Sequence, residues 1–218
     1  MPAWVPPVAR YMAVGLETTL LISVATAAAA TLLGVILGSL MTLRLRLITV
    51  PIRAYVEVWR GLPIIVTLFF IFFMLPAVGI NLPAFYAALI GLTLWTSANC
   101  AEITRGAVKS IPHGQHMAAL ALGLSWAQSM RWVVLPQAYR RMLPPLVSLL
   151  TNLVQSTALV YIIGILELTR SANVQRERLA ILGDSHSLEI YGAVMVVYFL
   201  ICLPLTRASA HLERRLVV

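Results

Sequence analysis

Few residues of this chain have the types and spacing that catalysis requires. His113 and His116 could share a helix face, but no third metal ligand stands nearby and no H-E-x-x-H pattern occurs. The run "GLSWA" at Gly123 is similar to a serine-hydrolase elbow, yet it lacks the second glycine and a preceding strand. No phosphate-binding GxxxxGK loop is present. These features argue against an enzyme.

Polar side chains interrupt two apolar stretches of the chain. Such residues are costly inside a membrane helix, so each is a candidate for function. Glu102 either forms an ion pair with Arg105 or another basic neighbour, or faces a transported solute. A second group either makes hydrogen bonds between packed helices or lines a solute pathway. Its members are Asn152, Gln155, Ser156 and Thr157.

The composition indicates a protein that is surrounded by lipid. Of the 218 residues, 60% are hydrophobic and 11% are charged, and the mean hydropathy is +0.89. Soluble domains carry about 25% charged residues, so this chain cannot cover a water-facing surface with polar groups. The net charge of +8 is explained by a bias of basic residues toward one side of a membrane, without nucleic acid.

Stretches without Asp, Glu, Lys or Arg predict the membrane helices. A bilayer core of about 30 Å needs about 20 helical residues, and the backbone in lipid must satisfy its own hydrogen bonds. The longest such stretch, 61–101, is broken by "PAVGINLP" at 76–83, where a turn is expected. We predict an all-α bundle of five transmembrane helices in a single domain, 1–218. The predicted spans are 15–42, 55–76, 84–107, 143–166 and 188–210.

The basic residues predict which side of the membrane each loop faces. With the N-terminus outside, five spans place the C-terminus in the cytoplasm. Twelve basic residues then lie inside and four outside, as the positive-inside rule requires. The inner set is Arg44, Arg46, Arg53, Arg60, Arg105, Lys109, Arg131, Arg140, Arg141, Arg207, Arg214 and Arg215, and the outer set is Arg10, Arg170, Arg176 and Arg178. The loop 108–142 is therefore predicted to be cytoplasmic.

This loop contains an apolar run, Met117–Met130, that is too short to cross a bilayer. Its first residues, Met117–Leu122, favour a helix that Gly123 would end in the left-handed conformation. Ser125 would cap a second helix, which Pro136 stops or kinks. The result is a knob with an apolar face. It either docks a partner or folds back on its own bundle.

The segment "AALALGLSWAQSMRWVVLPQA" (118–138) resembles the cytoplasmic signature of permease subunits of bacterial ABC importers. That signature reads Glu-Ala-Ala, three residues, Gly, and after nine to eleven residues Ile/Val-x-Leu-Pro. Further segments resemble polar amino-acid permeases of the histidine, glutamine and glutamate type. They are "GLETTLLISVATAAAATLLGVILG" (15–38), "VEVWRGLPIIVTLFFIFF" (56–73), "AEITRGAVKSIPHGQ" (101–115) and "VYIIGILELTRSAN" (160–173). The sequence of residues 114–163 most resembles those of glutamate/aspartate permeases.

This resemblance implies a type I importer permease of the bacterial inner membrane that is not itself an enzyme. ATP and Mg²⁺ would be bound by a separate ABC ATPase dimer, and this chain would bind no cofactor. Further implied partners are a second permease subunit, an extracytoplasmic amino acid-binding protein and lipid, but no nucleic acid. The segment Arg170 to Glu189 is either a solvated connector or a landing surface for the binding protein. The implied ATPase-coupling residues are Met117, Ala118, Ala119, Gly123, Leu124 and Ser125.

Two positions depart from the family pattern. Met117 replaces the signature glutamate. The helix dipole would stabilise a carboxylate at this position by about 0.3–1 kcal/mol. Because methionine carries no charge, docking should rely on shape and apolar burial. Where the family commonly has Lys-Asp-Thr-Ser-Leu, this chain has Gln155-Ser156-Thr157-Ala158-Leu159. Without that carboxylate the pathway lacks a partner for a cationic solute. The expected substrate is therefore glutamate, aspartate or a glutamine-like neutral amino acid.

Two other classes of membrane protein fit the sequence less well. An ATP-independent secondary carrier or channel for small polar solutes usually has more spans and often an internal repeat, and we find neither. An intramembrane enzyme would need a nucleophile, a metal site or paired carboxylates within its spans, and none assemble. The secondary carrier or channel is therefore the alternative hypothesis. Transport that depends on an ATPase would distinguish the importer from it.

Overall fold

The structure is a computed structural model that describes residues 2–43, 45–184 and 186–216, and within these ranges its regular elements are helices. Short π-helical or 3₁₀ turns extend α3, α6 and α7. The helices are α1 (Val5–Leu40), α2 (Arg46–Gly61), α3 (Ile64–Phe69), α4 (Ala84–Lys109), α5 (His113–Ala121), α6 (Trp126–Ser129), α7 (Leu135–Ser156), α8 (Leu168–Ile181) and α9 (Ser187–Leu216). The all-α fold predicted from the sequence is confirmed.

The chain divides into two compact units, each built from three segments. The first unit comprises Met1–Ala28, Leu62–Thr93 and Thr151–Pro204. The beginning of α1 packs there against α8 and α9, because these helices contribute apolar residues at helical spacing to one core. The buried members of that core are Val8, Met12, Leu168, Ala172, Ile190 and Val194.

The second unit comprises Ala29–Gly61, Leu94–Leu150 and Leu205–Val218. Its core lies between the end of α4 and the region from the π-helical turn Met130–Val134 into α7. The segment between them contains α5 and α6. The buried core residues are Cys100, Ala107, Val108, Ile111, Val134, Ala138, Met142, Leu146 and Leu149.

Four helical stretches of the described residues are long and apolar enough to cross a membrane. They are Val5–Leu40, Ala84–Lys109, Trp126–Ile163 and Ser187–Leu216. A fifth candidate exists if Arg46–Gly61 and Ile64–Val78, which meet at a bend of 104°, count as one span. The predicted number of five is the upper value of this range.

The prediction of one continuous helix over 55–76 is wrong. Helix α2 ends at Gly61, and Pro63 is extended with φ −58° and ψ 134° before α3 begins at Ile64. Proline has no backbone N–H to donate, and its ring disfavours the helical conformation of the preceding residue, Leu62. The "RGLP" sequence therefore separates two helices.

Pro136 does not stop the helix in which it lies, so the first of its two predicted effects, a stop or a kink, is wrong. The helical run continues from Trp126 to Ile163, with a π-helical turn at Met130–Val134 immediately before α7. A π turn shifts the backbone hydrogen-bond register, at the position where the missing proline N–H would interrupt the ladder. The helix therefore begins earlier than the predicted fourth span, 143–166, and ends at Ile163, before the predicted end.

The two units separate the basic residues in the same way as the predicted topology. The twelve residues assigned to the inner side fall within the segments of the second unit, and Arg44 among them lies outside the described residues. The other four, Arg10, Arg170, Arg176 and Arg178, fall within the first unit. The two packed units thus group the basic residues as the predicted topology does. The orientation of the loops in the membrane stays a prediction.

Candidate functional site

A helix–glycine–helix knob, residues 113–129, connects α4 to α7. Helix α5 ends at Ala121, and Gly123 has a φ of +84°. The Gly123 N–H donates to the Leu120 carbonyl at 2.9 Å, and the Leu124 N–H donates to the Ala119 carbonyl at 3.2 Å. These bonds satisfy carbonyls that the end of a helix leaves free. The predicted left-handed glycine corner is confirmed.

Ser125 caps the second helix of the knob, as the sequence predicts. Its Oγ accepts from the Gln128 N–H at 3.3 Å, and the Gln128 Oε1 accepts from the Ser125 N–H at 2.8 Å. This reciprocal pair is a capping box, which fixes the direction in which the chain leaves the glycine corner. The Ser-x-x-Gln spacing carries that signal, although the sequence prediction did not name Gln128.

The outer face of the knob is apolar and exposed. Leu122 is 84% exposed and Met117 is 51% exposed. Ala118 and Gly123 are exposed beside them, and Leu124 is half-buried. An exposed apolar surface of this kind is typical of a contact with another protein.

Ala119 departs from the predicted coupling set because it is buried, at 3% exposure. Only Ala118 of the alanine pair can reach a partner, and Ala119 instead packs the knob against its own chain. Met117 is the fifth residue of α5, which begins at His113. Because the dipole effect fades beyond the first turn, the predicted benefit of a glutamate at position 117 does not hold.

Hydrogen bonds join the two helices of the knob to each other and join the two segments that flank the knob. His116 Nδ1 and the Oγ of the buried Ser129 are 2.7 Å apart. The Arg141 guanidinium donates to the Ser110 carbonyl at 2.5 Å. No group of three His, Cys, Asp or Glu side chains suited to a metal ion occurs within the described residues. The pairing of His116 with Ser129 gives it a structural role.

Glu102 forms an ion pair with Arg105, which is one of the two roles that the sequence predicted for it. Its Oε2 accepts from Arg105 Nε at 2.8 Å, and its Oε1 accepts from Arg105 Nη2. Both side chains are only partly exposed. This two-point contact occupies the carboxylate, since a guanidinium and a carboxylate match each other in geometry.

The four polar residues of the predicted pathway lie at the end of α7 and the turn that follows it. Ser156 Oγ donates to the Asn152 carbonyl at 2.8 Å, and Thr157 Oγ1 donates to the Val154 carbonyl at 2.7 Å. The side chains of Asn152 and Gln155 are exposed. Glu102 belongs to the second unit and these four to the first, so the five do not form one cluster within a unit.

The first unit contains a buried carboxylate, Glu167, that was not predicted from the sequence. Glu167 is 0% exposed and caps α8, accepting from the backbone N–H groups of Thr169 at 2.8 Å and Arg170 at 2.6 Å. The Tyr198 hydroxyl also donates to it, at 3.1 Å. Glutamate is not among the usual N-cap residues, so local sequence rules do not identify this role.

Comparisons with known proteins identify the family. Residues 30–218 match the family described as "Binding-protein-dependent transport system inner membrane component". The chain belongs to this family. Accordingly, it is a multi-pass permease component of the inner membrane, as the resemblance implied.

Two curated relatives in this family are similar over nearly the whole chain. The glutamine transport system permease protein GlnP of Escherichia coli K12 is 39% identical over 204 residues, covering 93% of this chain and 91% of that protein. The probable amino-acid ABC transporter permease protein YckA of Bacillus subtilis 168 is 36% identical over 192 residues, covering 88% and 83%.

Two solved structures of ABC transporters share the fold. The structure titled "Crystal structure of an amino acid ABC transporter with histidines" matches with a TM-score of 0.86 and 30% identity, covering 95% of each chain. An inward-facing MetNI methionine ABC transporter matches with a TM-score of 0.74 and 21% identity, covering 95% of this chain and 98% of that chain. The second likeness concerns the fold alone.

Proposed function

We propose that this permease is a transmembrane subunit of an ATP-driven importer of polar amino acids, and that the knob 113–129 docks on a separate ATPase. The exposed apolar face around Met117 and Leu122 carries the proposal, because a surface of this kind facing the cytoplasm needs a protein partner to cover it. The family, which is named for transport with a binding protein, and the importer relatives support it.

The proposed substrate is a glutamine-like neutral or an acidic amino acid. The glutamine permease relative is consistent with the neutral choice. The described pathway residues Asn152 and Gln155 present exposed amide side chains, which hydrogen-bond to polar groups without selecting for a positive charge. Glu102, held by Arg105, is a poor counter-ion for a cationic solute.

Two permease subunits, either two copies of this chain or this chain with a similar one, would form the pathway. Each knob would follow the movement of the ATPase beneath it. Since the knob connects α4 to α7, which share one packed core, such movement would be transmitted to both helices as a rigid-body shift. ATP and Mg²⁺ would be bound by the ATPase, and a binding protein would deliver the amino acid.

The proposal is tested by reconstituting the permease with its partner ATPase and binding protein in proteoliposomes. Uptake of labelled glutamine, glutamate and arginine is compared with and without ATP inside the vesicles. We expect ATP-dependent uptake of glutamine or glutamate and little uptake of arginine. Uptake that continued at the same rate without the ATPase would support the secondary carrier instead.

Gly123→Asp tests the knob itself. The exposed position leaves open space for a side chain, so the change places a carboxylate on the docking face without an internal clash. We expect ATPase co-purification and uptake to fall about tenfold or more, which corresponds to about 1.4 kcal/mol of docking free energy. Pull-down of the ATPase with the tagged permease measures the first effect.

Gly183→Asp provides the matched control. Gly183 follows α8 with a φ of +96°, a Cβ there would also meet open space, and its N–H donates to the Ala180 carbonyl at 3.1 Å. Both substitutions therefore carry the same left-handed backbone strain. Gly183→Asp should retain the ATPase. Equal loss in both variants would mean that strain, not docking, causes the effect at Gly123.

A further inference from the structure

Helix α2 carries its polar residues on a single stripe. Arg46, Arg53 and Arg60 recur at intervals of seven residues, close to two turns of an α-helix. Thr49 and Glu57 fall on the same side at this periodicity. Arg60 is held by its own chain, since its Nε donates to Asn99 Oδ1 at 3.3 Å. Arg46 and Arg53 are exposed, and within the described part of the chain neither has an ion pair or hydrogen bond.

A second face of α2 is fixed to α4. The Tyr55 hydroxyl lies 2.7 Å from Ser97 Oγ, and Val56 is 2% exposed. The Tyr55 and Trp59 rings pack edge to face with centroids 6.5 Å apart. This face sets the orientation of α2 within the second unit, so the remaining stripes have fixed directions.

The third face of α2 is apolar and is not covered by this chain. Leu47 is 93% exposed, Val50 is 62% exposed and Val58 is 51% exposed. Pro51 and Ala54 lie exposed on the same stripe. A helix with an apolar stripe beside a cationic stripe is typical of a membrane–water interface, where apolar side chains enter the acyl region and arginines meet headgroups.

A cavity of about 400 Å³ lies where the arginine stripe begins. It is lined by Met41, Leu43, Arg46, Thr49, Val50 and Arg53. Two guanidinium groups and a hydroxyl supply hydrogen-bond donors, and guanidinium groups match the oxygens of a phosphate. The methionine, leucine and valine side chains provide an apolar wall. This combination fits a phosphate group that is attached to hydrocarbon.

We propose that this cavity binds the headgroup phosphate of an anionic phospholipid, with Arg46 and Arg53 as donors and the acyl chains along Leu47, Val50 and Val58. A free phosphate ion would leave the apolar stripe exposed to water. A second copy of the chain whose α2 packed antiparallel on this face by two-fold symmetry would bring the arginine stripes together, and their charges would repel. Such a lipid site goes beyond the transport activity and does not depend on the substrate.

Native mass spectrometry of the purified permease–ATPase complex tests the proposal, with phosphatidylglycerol and phosphatidylcholine as the titrated lipids. We expect phosphatidylglycerol to bind more tightly, and Arg46→Gln with Arg53→Gln to weaken it about tenfold or more, because each arginine near an anionic surface contributes on the order of fivefold. Arg46→Lys with Arg53→Lys keeps the charge but loses the two-point geometry. This variant should bind with intermediate affinity, and it also serves as the folding check.

Arg140→Gln with Arg214→Gln is the matched control, because both arginines are exposed and belong to the same unit. It should bind phosphatidylglycerol like the wild type. Equal binding by wild type and the Arg46/Arg53 glutamine variant would overturn the proposal. Tighter binding of inorganic phosphate than of phosphatidylglycerol would assign a free-anion site instead. Efficient disulfide formation between two Leu47→Cys chains would show that a second copy covers the stripe.

Discussion

At the scale of single residues, Glu167 makes the stability of the first unit depend on pH. It lies outside the candidate membrane spans, and burial raises the pKa of Glu167 above its ordinary value, partly offset by the hydrogen bonds from Thr169 and Arg170. The folded state therefore holds this proton to higher pH than the unfolded state. It follows that the stability contributed by the proton is present at low pH and is lost as pH rises through the folded pKa.

We expect the thermal stability of the wild type to contain a component that decreases as pH rises above about 4.3, where an ordinary glutamate titrates. Glu167→Gln removes this titration, so its melting temperature should lack that decrease when both proteins are followed by intrinsic fluorescence. Glu213→Gln, at an exposed position of α9, should keep the wild-type profile. A wild-type profile in Glu167→Gln would show that other groups determine the pH dependence.

At the scale of elements, two glycines allow α1 to approach α4 closely. Gly34 and Gly38 have the four-residue spacing that predicts small-residue packing, either with a partner helix or within the chain. A Cβ at Gly34 would lie 2.4 Å from Cys100 Cβ, and one at Gly38 would lie 2.4 Å from the Ala101 carbonyl oxygen. The structure thus assigns this face to internal packing within the second unit.

Gly34→Ala should therefore destabilise the permease, by about 1–3 kcal/mol for an overpacked contact. Gly106→Ala is the control in α4, where a Cβ would meet open space within the chain. That change should stabilise the helix by about 0.5–1 kcal/mol, because alanine loses less backbone entropy than glycine. Melting temperatures in detergent measure both changes, and a neutral Gly34→Ala would contradict close packing at this crossing.

The elements that could be predicted from sequence are those set by local chemistry. Long charge-free runs identified α1, α4 and α9, and the glycine and serine signals placed the corner and cap of the knob at Gly123 and Ser125. The break at Pro63 was not predicted, because the residues on both sides of it are apolar and the predicted span 55–76 was based on that apolar character. Contacts such as Tyr198 with Glu167, 31 residues apart, depend on helix packing that no local pattern specifies.

At the scale of the whole molecule, the orientation of the chain can be tested at two matched leucines. Leu122 and Leu182 each follow a helix and precede a left-handed glycine, and they are 84% and 74% exposed. Leu122 belongs to the unit that contains the twelve basic residues of the inner set, and Leu182 to the unit that contains the other four. The positive-inside rule places Leu122 in the cytoplasm and Leu182 outside.

A membrane-impermeant maleimide should therefore label Leu182→Cys in intact spheroplasts, and label Leu122→Cys only after the membrane is permeabilised. The native Cys100 and Cys202 are both buried, so the wild type should show little labelling in either condition. Because the two sites match in exposure and local backbone, a difference in labelling reports the side of the membrane, not local accessibility. Labelling of Leu122→Cys in intact cells would reverse the topology and place the knob, with its apolar face, out of reach of any cytoplasmic ATPase.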